Sequence, residues 1–203
     1  LFYDYLLKEP NWPTLEEYLS NGKIVKSGWP MSYMRDALAP YRNLEKRDLI
    51  LFPHRIAPEK QVEIFKDLER RLPQYEFIVC QETPLPKHEY RVLLGQAKIL
   101  FSASLQETLG ISTCAEAPIV DAVPIAPSRL SYSEIFKDFG EFLYPSEWTA
   151  DWESYERNAD KLVDRIVHTM AHYNSFTSSM ARYVNTVYPE YFTPDALVSK
   201  FTS

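Results

Sequence analysis

The sequence predicts an α/β fold: a parallel sheet covered by helices on both faces, followed by a helical C-terminal tail. Three observations predict it. Between residues 48 and 145, short runs that are apolar at consecutive positions recur, as in strands buried on both faces. Segments with apolar residues at helical spacing separate those runs, the order expected of a parallel sheet with helical crossovers. Beyond residue 150 only helical periodicity remains. With 203 residues and 45% hydrophobic content, the chain can bury one good-sized α/β core but not two.

Thr14-Leu15-Glu16-Glu17 is a capping-box arrangement and predicts a short helix ending at Asn21-Gly22. Ile24-Val25 reads as a brief strand. Gly28-Trp29-Pro30 breaks the pattern, and Met31 to Ala37 can form one or two helical turns before Pro40. Residues 1–45 thus read as a linker leading into a Rossmann-like domain at 46–150. Leu49-Ile50-Leu51-Phe52 is the first strand. Pro58 then opens a helix carrying Val62, Ile64, Phe65, Leu68 and Leu72. Tyr75 to Cys80 is a second strand, His88 to Ala97 a short helix, and Ile99-Leu100-Phe101 a third strand. A helix from Gly110 to about Ala122, a strand at Val123-Pro124-Ile125-Ala126 and a fifth at Phe142-Leu143-Tyr144 complete the domain. Residues 151–203 should pack on it as three helices: Asp151 to about Tyr173, Thr177 to Tyr188, and Pro194 to Phe201.

The formal charge of −6 argues against a protein that grips nucleic acid or an anionic membrane mainly by electrostatics. No stretch approaches the roughly 18–20 apolar residues of a membrane span. Leu1 begins mid-pattern, without an initiator Met or a signal segment, so the chain is expected to be part of a longer, cytoplasmic protein. Cys80 and Cys114 are the only cysteines and form no CxxC pair, which fits reduced thiols. Cys114 reads as a small buried apolar residue. His168 and His172 share a helical face, but no glutamate follows the first and no third ligand is evident, so no metal is expected.

Open parallel sheets bind ligands at the carboxyl ends of their strands. The loop after the first strand, Pro53 to Lys60, places Arg55 in the loop and Lys60 at the helix start, a cation pair suited to clamping a diphosphate. Spacing alone favours the competing reading, a surface Arg and Lys. After the third strand come Ser102 to Gly110 and then Glu116-Ala117. Gly110 permits close backbone approach, and the amides beyond it can hold a phosphate or a sugar hydroxyl. Glu107 and Glu116 would turn carboxylates toward the same cleft, each able to accept two hydrogen bonds from a diol. Bonds of that kind are worth roughly 1.5–3 kcal/mol each. Taken alone, two glutamates near a glycine are common.

The elements occur in an order that carries more weight. Arg55-x4-Lys60, then Ser104-x2-Glu107-x2-Gly110, then Glu116-Ala117 and Pro124, resembles the donor domain of retaining glycosyltransferases of the two-domain GT-B type, the large family that includes sucrose synthases and mannosyltransferases. The match covers about residues 23 to 145. The resemblance implies a GT-B C-terminal domain that binds a nucleotide diphosphate sugar. Arg55 and Lys60 would contact the diphosphate, Glu107 the transferred hexose and Glu116 the ribose, with backbone amides at Leu109 and Gly110 near the sugar and phosphate. It further implies a hexosyltransferase that needs no metal and has an acceptor-binding N-terminal half outside this chain. The isolated chain would then be inactive. Pro127-Ser128-Arg129 and Tyr132-Ser133-Glu134-Ile135-Phe136 resemble a narrower group related to tRNA-queuosine mannosyltransferases, which would imply GDP-mannose as donor and tRNA as acceptor. Tyr132, Ile135 and Phe136 equally fit a loop packed on the core.

Two positions depart from the family pattern. His54 stands where the family has glycine before the arginine, and eight residues rather than seven separate Glu107 from Glu116. One residue turns an α-helix by about 100°. Either the backbone absorbs the extra residue or Glu116 has a different task. The alternative function is a non-catalytic GT-B-like module that binds a nucleotide or a partner. A flavodoxin-like domain is disfavoured by the absence of GxGxxG and by a total of five glycines.

Overall fold

A computed structural model describes residues 15–22, 27–82 and 85–198. Among these, five parallel strands form one sheet: β1 (Arg47–Phe52), β2 (Glu76–Val79), β3 (Ala97–Phe101), β4 (Val123–Pro127) and β5 (Leu143–Tyr144), in the order β2-β1-β3-β4-β5. The register pairs Ile50 with Phe77 on one side and with Ile99 on the other, and Leu100 with Pro124. This is the doubly wound α/β fold that the alternating runs predicted, followed by a helical tail.

Each strand feeds a different core on each face because successive side chains point to opposite sides. Leu49, Leu51, Leu100 and Val123 join one apolar cluster; Ile50, Phe52, Ile99, Phe101 and Ile125 join the other. The second face is covered by α3 (Val62–Arg71), through Ile64, Phe65 and Leu68, and by α7 (Trp152–Ala171), through Tyr155, Leu162 and Ile166. Asp67 ties these helices together, accepting from the Tyr155 hydroxyl and from Arg71 Nε, both at 2.6 Å. The N-terminus of α7 is set by Asp151, whose carboxylate accepts from the Ser154 amide at 2.7 Å.

On the first face lie α2 (Tyr33–Leu38), α4 (Lys87–Gln96), α6 (Leu130–Ile135), α8 (Tyr173–Thr186) and α9 (Tyr188–Phe192). The one-turn α9 was not expected from sequence. It receives the lead-in segment: the Trp29 and Met31 amides donate to the Tyr191 and Phe192 carbonyls at 2.6 and 2.9 Å. Met31, Met34 and Leu38 are buried in the same cluster. A short helix α1 (Leu15–Ser20) precedes this segment and ends at Gly22 with φ 74°, as expected, while α10 (Asp195–Val198) closes the described chain. Thr14 of the capping box, the strand expected at Ile24-Val25 and the end of the helix expected to reach Phe201 lie outside the described residues.

Gly95 sits in α4 where that helix meets the turn Ala39–Tyr41, and a Cβ there would run into the Tyr41 backbone carbonyl. In a free helix interior, Gly→Ala gains about 1 kcal/mol. Here the overlap, with backbone that cannot swing aside, costs about 1–3 kcal/mol and should win. Gly95→Ala is therefore expected to lower the urea midpoint; a raised midpoint would contradict the close approach.

Candidate functional site

The strand order reverses at β1, which lies between β2 and β3. In doubly wound sheets the ligand crevice lies outside the carboxyl ends at such a switch point. Two loops leave the sheet there, 53–61 after β1 and 102–110 after β3.

The first loop corrects one expectation. Pro58 opens only a 3₁₀ turn, Pro58–Lys60, and α3 starts at Val62 after Gln61 takes a left-handed conformation, φ 54°. Lys60 is thus outside the α-helix. The reason is tertiary: the buried Gln61 amide donates to the Ala103 and Thr149 carbonyls at 2.6 and 2.9 Å, which turns the chain inward. The Leu105 amide donates to the Glu59 carbonyl at 2.7 Å, zipping the two loops together. Lys60 then reaches across, its Nζ donating to the Gln106 carbonyl at 2.5 Å and to Glu107 Oε2 at 3.1 Å.

Glu107 is held on both oxygens. Oε1 accepts from the Thr108 and Gly110 amides at 3.1 and 3.0 Å, and Oε2 from Lys60, with the Tyr132 hydroxyl at 3.5 Å. Burial works against the charged carboxylate, but Lys60 and the Gly110 amide outweigh it and hold Glu107 below its ordinary range. Ser102 Oγ bridges Tyr132 (2.9 Å) and Ser104 (3.1 Å) beneath the pair. His54, the departure from glycine, is buried against the edge of Phe52, and its Nε2 has no hydrogen-bond partner. Burial, then the charge of Lys60, push its imidazole down to about 4.

Gly110 has φ 59°, and a Cβ there would lie 2.7 Å from Cys114 Sγ. The helix expected to run on from Gly110 is instead a π-helical turn, Ile111–Glu116, continued by the single α turn α5 (Ala117–Ile119). A π turn takes one more residue than an α turn, which fits a spacing of eight rather than seven residues between Glu107 and Glu116. Pro118 has no amide hydrogen to offer the Cys114 carbonyl four residues back; that carbonyl accepts from the Tyr183 hydroxyl of α8 at 2.7 Å.

Glu116 is buried and accepts from the Tyr90 hydroxyl of α4 at 2.7 Å, toward the β2 side of the sheet. It shares no hydrogen-bond partner with Glu107. The two carboxylates, expected to face one cleft, thus bond different elements: Glu107 the loop at Lys60 and Gly110, Glu116 the helix α4. Arg55 stays outside the Lys60–Glu107 cluster; its side chain is 69% exposed and Nε donates to Glu59 Oε1 at 3.1 Å. Leu109 is half-buried beside Gly110. Tyr132, Ile135 and Phe136 are all fully buried, as a packed loop requires, though the Tyr132 hydroxyl also reaches Glu107. Cys114 is fully buried and its thiol is raised well above its usual range by burial.

Sequence reasoning missed the groups that shape these loops. Arg129 donates to the carbonyls of Ser146, Ala103 and Thr149 and, at 2.5 Å, to Thr149 Oγ1, while the Tyr144 hydroxyl donates to the Ser102 carbonyl at 2.8 Å. Gln61 belongs to the same network. Nothing in their spacing announces it; only an isolated Arg directly after a strand was visible.

No family model and no curated protein matches the chain. Among the described residues no helix is long and apolar enough to cross a membrane, and no group of three or more His, Cys, Asp or Glu is placed to hold a metal ion.

Two stability measurements probe this geometry. An imidazole at about 4 in the fold and near 6.5 when unfolded contributes fully above 6.5, and that contribution is lost as pH falls toward 4. Between about pH 7 and about pH 5 the loss from His54 should approach 2 kcal/mol. In urea titrations His54→Gln should flatten that slope; an unchanged slope would place a neutral His54 in error. Gly110→Ala, which meets both the left-handed φ and the Cys114 sulfur, should cost about 2–3 kcal/mol in the same assay.

Proposed function

We propose that this chain is the donor-binding half of a retaining GT-B glycosyltransferase, moving a hexose from a nucleotide diphosphate sugar to an acceptor hydroxyl. The observation that carries the reading is the meeting of Lys60, Glu107 and the Gly110 amide at the switch point of the sheet. Two segments 47 positions apart converge at the end of the sheet where such a donor would lie. The π turn supports it further, because it lets Glu116 keep its helical phase despite the extra residue.

In this reading the sugar nucleotide lies along the rim between Glu116 and Glu107. Glu116, with Tyr90, takes the ribose end; Glu107 takes the hexose; the diphosphate lies between them near Gly110. When the anomeric C–O bond breaks, its electron pair goes to the diphosphate. Lys60 and the amides stabilise that charge in a partly dry site, where fixed donors act more strongly than in water. Arg55, exposed and bound only to Glu59, is free to swing onto the outer phosphate. The acceptor site belongs to the other half of the enzyme, so the isolated chain should bind donor without transferring it.

Because both Glu107 oxygens already have protein partners, sugar binding requires an exchange of hydrogen bonds. That same observation favours a second reading, a module that binds a nucleotide without turnover. A thermal-shift panel of UDP-, GDP- and ADP-sugars, each beside its free diphosphate, separates the two. One intact sugar nucleotide at 100-fold its Kd should add roughly 2.7 kcal/mol of stability. Arg55→Ala and the isosteric Glu107→Gln should abolish the gain. Equal stabilisation by the free diphosphate selects the binding module, and indifference to the whole panel sinks both.

A further inference from the structure

At the opposite, amino-terminal end of the sheet lies a cavity of about 500 Å³ between the starts of β1 and β3 and the junction of α7 with α8. Lys46, Lys98, Met170, Tyr173 and Asn174 are among its walls. A strand's length, about 17–20 Å, separates it from the crevice at the carboxyl ends.

Two ammonium groups face this space. Lys46 Nζ donates to the Ala97 and Val120 carbonyls at 3.0 and 2.6 Å, which leaves one of its three hydrogens without a protein acceptor. Among the described residues no carboxylate forms an ion pair with it. Burial pushes this ammonium down to about 8, against the opposing pull of Asp121. Asp121 draws on this ammonium without pairing with it, so among the described residues its third hydrogen is open to an anionic ligand. Lys98 Nζ is ion-paired with Asp48, an exposed partner that a phosphoryl group would have to displace, and lies 5.7 Å from the centre of the Tyr173 ring. That ring is fixed by its own hydroxyl, which donates to the Asp121 carbonyl at 2.6 Å.

We propose that this cavity binds a small phosphate monoester, with the phosphoryl group on Lys46 and Lys98 and the organic body against Met170 and Tyr173. The volume falls in the roughly 300–1,000 Å³ range of small-molecule sites and exceeds what a bare phosphate needs. Asp48, beside Lys98, and Asp121, paired with Arg42 at 3.2 Å, stand at the same end of the sheet. The site is independent of the glycosyltransferase reading.

Amide NMR of the whole chain, titrated with glucose 6-phosphate, tests it. Saturable shifts are expected at Lys98 and at Tyr173 to Ser175, weaker ones at the same amides with inorganic phosphate, and none there with glucose. Lys46→Gln should weaken binding by about tenfold, equivalent to about 1.4 kcal/mol. Should that variant fail to fold, because its ammonium holds two carbonyls, Lys98→Gln should give the same weakening. The proposal is overturned by shifts confined to the Lys60–Gly110 crevice, by no saturable shift at all, or by a short RNA oligonucleotide binding here in place of the sugar phosphate.

Discussion

At the carboxyl end of a parallel sheet the chain leaves the hydrogen-bonded ladder, and every buried carbonyl there must find a donor elsewhere. In this protein Gln61 and Arg129 supply those donors. Both bond the Ala103 and Thr149 carbonyls, which joins the loops that follow β1, β3, β4 and β5 into one rigid rim. Neither side chain is spare: Arg129 is partly desolvated and held below its usual range by burial, with no carboxylate partner among the described residues. Lys60 follows Gln61 directly, so the turn that seats Gln61 also delivers Lys60 to Glu107.

The Lys60–Glu107 pair is the electrostatic centre of that rim, with the two side chains only 10% and 17% exposed. Removing one partner of such a buried pair costs about 3–5 kcal/mol, far more than the median of about 0–1 kcal/mol for exposed pairs such as Arg157–Glu153. A ligand that takes Lys60 or Glu107 must therefore return equivalent hydrogen bonds.

The helical tail reaches this site through one backbone atom. Pro118 withholds an amide from the Cys114 carbonyl, and Tyr183 of α8 bonds it instead, with Phe136 and Phe139 packed around the tyrosine ring at 5.2 and 5.5 Å. The π turn between Gly110 and Glu116 is thus buttressed by the tail. A π turn holds one residue more than an α turn, and in a regular helix one residue more or less turns Glu116 by about 100°.

The alternation of apolar runs with helical periodicity determined the parallel sheet and its five strands, because strands buried on both faces admit little else than Leu, Ile, Val and Phe. The ordered set Arg55, Lys60, Glu107, Gly110 and Glu116 pointed to the loops at the carboxyl end of the sheet, since strand-end loops are where such residues are not needed for packing. Other features were invisible in one dimension. The 3₁₀ turn before α3, the left-handed Gln61 and the bond of Glu116 to Tyr90 all arise with hydrogen bonds between residues distant in sequence. Arg129 and Thr149, 20 positions apart, are one such pair. Periodicity reports which face a residue buries; only the tertiary structure decides which donor reaches which carbonyl, because that choice depends on distances the chain acquires when the strands pair.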